Sequence, residues 1–172
     1  MSKIILLGYM GSGKSTIAKS LSKIQQLPFV DLDNYIEEKA KMSIKSIFET
    51  KGEIYFRKIE HQYFVELLNS DENLIIGLGG GTPCYANNHE LLKGEGRTSI
   101  YLKASIDTLY NRLVIGKAQR PLIADKSAEE MREFIAIHLF ERSYFYNQAQ
   151  HTISVDQSVE KVVADIQKLI NQ

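Results

Sequence analysis

A chain of 172 residues with 44% hydrophobic and 24% charged content is sized for one domain with a substantial core. Its 21 basic and 21 acidic residues cancel, so composition points to neither a nucleic-acid nor a membrane partner. The single cysteine, Cys84, excludes an internal disulfide and suits a reducing compartment. With no His or second Cys near it in sequence, Cys84 reads as a structural thiol. No apolar run reaches membrane-spanning length, and the chain enters a strand at once, with neither a cationic leader nor an apolar core segment. The expectation is a cytoplasmic protein without a signal peptide.

The first apolar run, residues 4–7 (Ile-Ile-Leu-Leu), is of strand type. It leads into Gly8-Tyr9-Met10-Gly11-Ser12-Gly13-Lys14-Ser15: a glycine, four free positions, then Gly-Lys-Ser, the phosphate-loop pattern. Helical spacing follows over 16–24. In this strand-loop-helix setting Gly8, Gly11 and Gly13 free the backbone so that the loop can wrap an anion with its N–H groups, and the helix beginning at Thr16 aims its positive end at the same point. Lys14 adds a mobile charge for the β- and γ-phosphates, and Ser15 offers a hydroxyl to Mg²⁺. A glycine-rich turn that binds nothing is the alternative, disfavoured by the strand before it and the helix after it.

The second strand, 29–32, ends in Phe29-Val30-Asp31-Leu32-Asp33. At the sheet edge Asp31 lies close to the phosphate loop, where it can hold Mg²⁺ through water. Asp33 projects further out, where it can orient or deprotonate a substrate hydroxyl. Equally, Asp33 or Asn34 caps a helix starting at Tyr35. Residues 34–70 are too many for one crossover and read as several helices, including 46–50 and a longer one from Glu53. On that helix Arg57 stands four residues from Glu53 and three from Glu60, which makes a surface ion-pair ladder. The functional alternative turns Arg57 into a cleft to grip a carboxylate, with Glu60 steadying its guanidinium and Phe48 and Phe56 as apolar walls.

A third strand over 74–78 runs into Gly79-Gly80-Gly81-Thr82-Pro83. Three consecutive glycines are costly to order, so something approaches that backbone closely, a substrate hydroxyl bonded to a glycine N–H being the candidate; simple turn flexibility is the alternative, disfavoured because Pro83 stiffens the exit. The fourth strand, 99–102, precedes a helix over 106–113 and a polar stretch from Gly116 to Lys126. Arg120, within that stretch, is either solvated or an internal arginine finger closing over phosphates. A helix over 128–149 carries Arg142, and a fifth strand, 151–155, precedes an amphipathic helix, Val159–Ile170. His61, His89, His138 and His151 form no triad or metal pattern and receive no role. Short apolar strands alternating with helices define an α/β fold, a five-stranded parallel sheet with helices on both faces.

In this order the pieces resemble shikimate kinase. The matching features are the phosphate loop at 8–15, Asp31-Leu32-Asp33, Gly52-Glu53 with Phe56-Arg57 and Glu60, Gly79-Gly80-Gly81, Arg120-Pro121-Leu122, and Arg142 before Tyr144 and Tyr146. The resemblance implies a P-loop NTPase fold of nucleoside monophosphate kinase type, forming one kinase domain over 1–172 with a substrate-binding lobe at about 34–60 and a lid at about 114–126. It implies phosphorylation of the 3-hydroxyl of shikimate by MgATP, giving shikimate 3-phosphate and ADP on the route to chorismate and the aromatic amino acids. Carried over, Gly11, Ser12, Gly13, Lys14, Ser15 and Thr16 bind ATP together with Arg112 and Arg120. Ser15, and Asp31 through water, serve Mg²⁺. Asp33 is the base, and Asp33, Arg57, Arg142, Gly79, Gly80, Gly81, Phe48 and Phe56 form the substrate site, with Lys14 and Arg120 acting on the transferring group. The partners implied are ATP and shikimate alone, on a monomer. Departures lie beside the adenine, where Asp156-Gln157-Ser158 lacks the Arg and Pro of some relatives. A gluconate kinase on the same fold is the nearest alternative. A non-catalytic nucleotide switch is a further one, although no Asn-Lys-x-Asp motif is present and such a switch needs no carboxylate clamp.

Overall fold

The computed structural model describes residues 1–116 and 124–171. β1 (Lys3–Leu7) is buried along its whole length, which its run of branched apolar side chains favours in a sheet covered on both faces. It pairs in parallel with β3 (Leu74–Gly77) on one side and β4 (Arg97–Lys103) on the other. β2 (Phe29–Asp31) extends the sheet beyond β3, and β5 (His151–Ser154) extends it beyond β4. The order β2-β3-β1-β4-β5 is the parallel five-stranded sheet expected from the alternation of strands and helices. The predicted strands sit within two residues of the observed ones.

α1 (Lys14–Gln25) follows the phosphate loop directly, two residues earlier than its apolar spacing suggests. Its cap is Gly13, at φ 88°, a left-handed conformation that a residue with a Cβ resists. α2 (Leu32–Ala40) opens as soon as β2 ends, with Asp31 as its cap accepting a hydrogen bond from Asn34 N. α3 (Ile44–Asn69), capped by Ser43, is broken at Gly52 (φ 84°, ψ 170°), so two helical pieces meet at an angle that only a left-handed residue permits. α4 (Ile106–Ile115), α5 (Ala128–Tyr146) and α6 (Val159–Ile170) begin at Ser105, Ser127 and Ser158, each hydroxyl accepting from a first-turn N–H. At α5, Glu130 completes a reciprocal capping box.

The core runs through both helix layers: Leu21 of α1, Ile36 of α2, Phe64 of α3, Leu113 of α4, Ile135 of α5 and Ile166 of α6 are fully buried against the sheet strands. Among the described residues no helix is long and apolar enough to cross a membrane. The register positions the functional loops. Gly77 is opposite Leu6 on β1 and opposite Asp31 on β2. The phosphate loop, the Asp31–Asp33 segment and the glycine run therefore leave the sheet at one level, on its carboxyl edge, where ligands of open α/β sheets bind.

Candidate active site

The phosphate loop is braced from inside. Lys14 Nζ donates to Gly8 O at 2.7 Å and to Tyr9 O at 3.1 Å. Burial pushes its ammonium down to about 8, while Asp33 and then Asp31 pull the other way. Ser12 is buried, and Ser15 and Thr16 lie exposed at the mouth of the loop. On the outer side, Arg112 donates to Gly11 O and to Val155 O, both at 3.2 Å. It lines a cavity of about 250 Å³ with Gly13, Thr16, Val155 and Gln157, placing the predicted nucleotide-side arginine against both the loop and the segment after β5.

The two aspartates part company. A strand continuing to residue 32 would have put Asp31 and Asp33 on one face, with Asp33 further out. The helix instead begins at Leu32, and residues two apart on a helix point about 200° apart. Asp31 is consequently the cap, in place of Asp33 or Asn34, and Asp33 turns inward from the first turn of α2. Both carboxylates favour the charged form of Lys14, Asp33 more than Asp31. Burial, with Asp31 and Glu60 adding like charge, raises the Asp33 carboxyl from 3.8 to about 6 against the pull of Lys14, a value suited to a base working near neutrality.

The glycine run carries one functional group per residue. A methyl placed on Gly79 would stand 3.0 Å from Asp33 Oδ1, on Gly80 3.2 Å from Arg142 Nη1, and on Gly81 3.0 Å from Arg57 Nη2. Close approach is thus the reason for the glycines. Arg57 pairs with Glu60 at 2.9 Å and lies 3.5 Å from Glu53, with its guanidinium 3.8 Å from the Tyr85 ring centre. Glu60 is only 1% exposed and accepts from Thr82 Oγ1 at 2.8 Å. The Arg57–Glu60 contact is therefore an internal brace and not a rung of a surface ladder. Phe56 is buried, 4.7 Å between ring centres from Phe48, so the expected apolar wall is largely core. A cavity of about 520 Å³ on the other flank of Arg57, between Glu53, His61 and Tyr85, contains neither Lys14 nor Asp33.

Arg142 comes from α5, its guanidinium 5.6 Å from the ring centre of Tyr9 in the phosphate loop. Four residues on, Tyr146 Oη donates to Gly80 O at 2.6 Å. Four residues back, His138 Nδ1 lies 3.0 Å from Tyr9 Oη. Lys14, Asp33, Arg57, Arg142 and the three glycines thus converge, while Arg120 lies outside the described residues. Sequence reasoning missed Tyr9, Thr82, His138 and Tyr146. The spacing of four that joins Phe134, His138, Arg142 and Tyr146 was the one available signal.

A phosphate loop at the head of a parallel sheet, facing a carboxylate and two guanidinium groups, defines a small-molecule kinase of the nucleoside monophosphate kinase type. The profile of the shikimate kinase family matches residues 10–171. A shikimate kinase of Flavobacterium johnsoniae is 66% identical over 167 residues, 96% of this chain and 97% of the relative. The crystal structure of the shikimate kinase of Bacteroides thetaiotaomicron superposes with a TM-score of 0.91 at 35% identity, covering 99% of each chain. That of Acinetobacter baumannii in complex with shikimate gives 0.82 at 30%, covering 99% of this chain and 93% of the other. The chain belongs to the shikimate kinase family.

Proposed function

We propose that this protein transfers the γ-phosphoryl group of ATP to the 3-hydroxyl of shikimate, in the cytoplasm and as a monomer. The observation that carries this reading is the glycine run, whose three residues admit Asp33, Arg142 and Arg57 side by side. Two guanidinium groups beside a raised carboxylate suit an acceptor that bears both an acid and a hydroxyl. Family membership supports the same acceptor.

In this reading Arg57 and Arg142 hold the acceptor's carboxylate and Asp33 accepts the proton of the attacking hydroxyl. Lys14 releases Gly8 O and Tyr9 O to meet the β- and γ-phosphates. Phosphoryl transfer asks mainly for alignment and charge neutralisation, and these residues supply both. Ser15 and Asp31 offer a hydroxyl and a carboxylate oxygen, the hard donors Mg²⁺ prefers, and the remaining positions suit water and phosphate. Bound there, Mg²⁺ would neutralise charge on the phosphates. Arg112 borders the base side of the nucleotide. In this reading residues 34–60 form the acceptor lobe of a single kinase domain; the lid expected at about 114–126, with Arg120, lies mostly outside the described residues.

The test is an ADP-release assay with purified protein, MgATP and either shikimate or gluconate. Turnover with shikimate alone is expected; turnover with gluconate while shikimate stays inert would overturn the assignment.

A further inference from the structure

α5 meets the site along a single line of side chains at spacing four. Phe134 packs on His138, with ring centres 4.3 Å apart. His138 meets the Tyr9 hydroxyl at 3.0 Å, and Tyr146 is tied to Gly80 O at 2.6 Å. Arg142 lies between the two ties, one to the phosphate loop and one to the glycine run. Residues at i and i+4 share a helix face, so fixing His138 and Tyr146 fixes the rotation of α5 and with it the direction of Arg142. Tyr9 is 1% exposed, and its ring lies edge-on to His138, 5.9 Å between centres, with the Arg142 guanidinium 5.6 Å from its centre. A buried tyrosine hydroxyl needs a partner, and the His138 ring nitrogen supplies it. Burial and the neighbouring Arg142 both favour the neutral ring of His138, against the pull of Glu141, and in the tautomer with its hydrogen on Nε2 the Nδ1 atom accepts from the tyrosine.

We infer that Tyr9 and His138 are positioning residues for Arg142: the phosphate loop lends a ring and a hydroxyl that set the acid-gripping arginine relative to the transferred phosphoryl group. The inference rests on the reading of Arg142 as part of the carboxylate clamp. It gives a chemical reason for an aromatic at a free position of the phosphate-loop pattern, and a role to a histidine 129 residues away in sequence.

Initial rates with shikimate and with ATP varied separately test it, using Tyr9→Phe, which keeps the ring and removes the hydroxyl, His138→Ala, and both together. Loss of one neutral hydrogen bond corresponds to an increase of about three- to ten-fold. That increase is expected in KM for shikimate, with KM for ATP and kcat moving less than about twofold and the double variant no worse than either single one. His138→Asn, whose amide can occupy the position of Nδ1, should recover most of the loss. In an Arg142→Lys background the Tyr9 and His138 changes should add nothing. If Arg142→Lys raises KM for shikimate but Tyr9→Phe does not, the positioning role is wrong and the clamp stands. Full additivity in the Arg142→Lys background, or an equal rise in KM for ATP, overturns it as well. If Arg142→Lys leaves KM for shikimate unchanged, the clamp reading fails and the inference falls with it.

Discussion

Replacing Asp33 by Asn should make the protein more stable and nearly inactive. Burial raises the Asp33 carboxyl from 3.8 to about 6, so between those values the folded state holds a proton that the unfolded state has released. Stability therefore falls as pH rises through that window, and the penalty is complete above about 6. Two units at 1.36 kcal/mol each set an upper bound of about 3 kcal/mol. Asp33 retains some contact with water, which brings the expected gain to about 1–2 kcal/mol, or about 3–6 °C in Tm for a chain of this size. Calorimetric scans of wild type and Asp33→Asn at pH 7.5 should show that gain, and scans at lower pH should show it shrink through 6 and vanish near 4. Turnover should fall by about a hundredfold or more with loss of the base. A variant that melts at or below wild type at pH 7.5, or whose advantage persists at pH 4, would refute the assignment of a raised, destabilising carboxylate.

The same two groups shape the pH profile. kcat/KM should decline below about 6 as Asp33 takes up a proton and above about 8 as Lys14 loses one, because the base must be ionised and the phosphate-binding ammonium charged; a flat profile from 5 to 9 would contradict both roles. Arg57→Lys loses a planar, two-pronged grip and should raise KM for shikimate about tenfold, and an unchanged KM would place Arg57 outside the clamp. Gly52→Ala meets no heavy atom within 4 Å, so its cost is that of holding φ 84° and ψ 170°, a conformation essentially reserved for glycine, about 1–3 kcal/mol. Its Tm should drop by about 3–9 °C, and an unchanged Tm would mean that the break in α3 is not held at that angle.

The sheet was legible because its strands are short apolar runs whose burial depends on little beyond their own sequence. Strand ends were less so: β4 reaches Arg97 and Lys103, polar residues admitted at the margins of the sheet. The phosphate loop could be read because its function is local, one contiguous stretch folding around one anion. The glycine run announced close contact and suggested a substrate hydroxyl, but not the guanidinium groups of Arg57 and Arg142, residues 85 apart in sequence that arrive from two different helices. The aspartate pair was half legible because a single residue decides between strand and helix there, and that choice makes Asp31 the cap of α2 and puts Asp33 in its first turn. The Tyr9–His138 contact could not be read at all, because periodicity along α5 marks a face but says nothing about what the face meets.

The glycine strip sets how far this stretch of backbone can be altered without moving the charged groups around it. Ordinary binding walls tolerate drift, since a lost side chain can be replaced by a neighbour leaning across. At Gly79, Gly80 and Gly81 the opposite holds: each position is kept open by the absence of a carbon atom, and nothing nearby can restore an absence once it is filled. Even alanine, the smallest chemical step available, would bring a methyl to 3.0–3.2 Å from a carboxylate or guanidinium atom, so each charged partner would have to give way by a few tenths of an ångström.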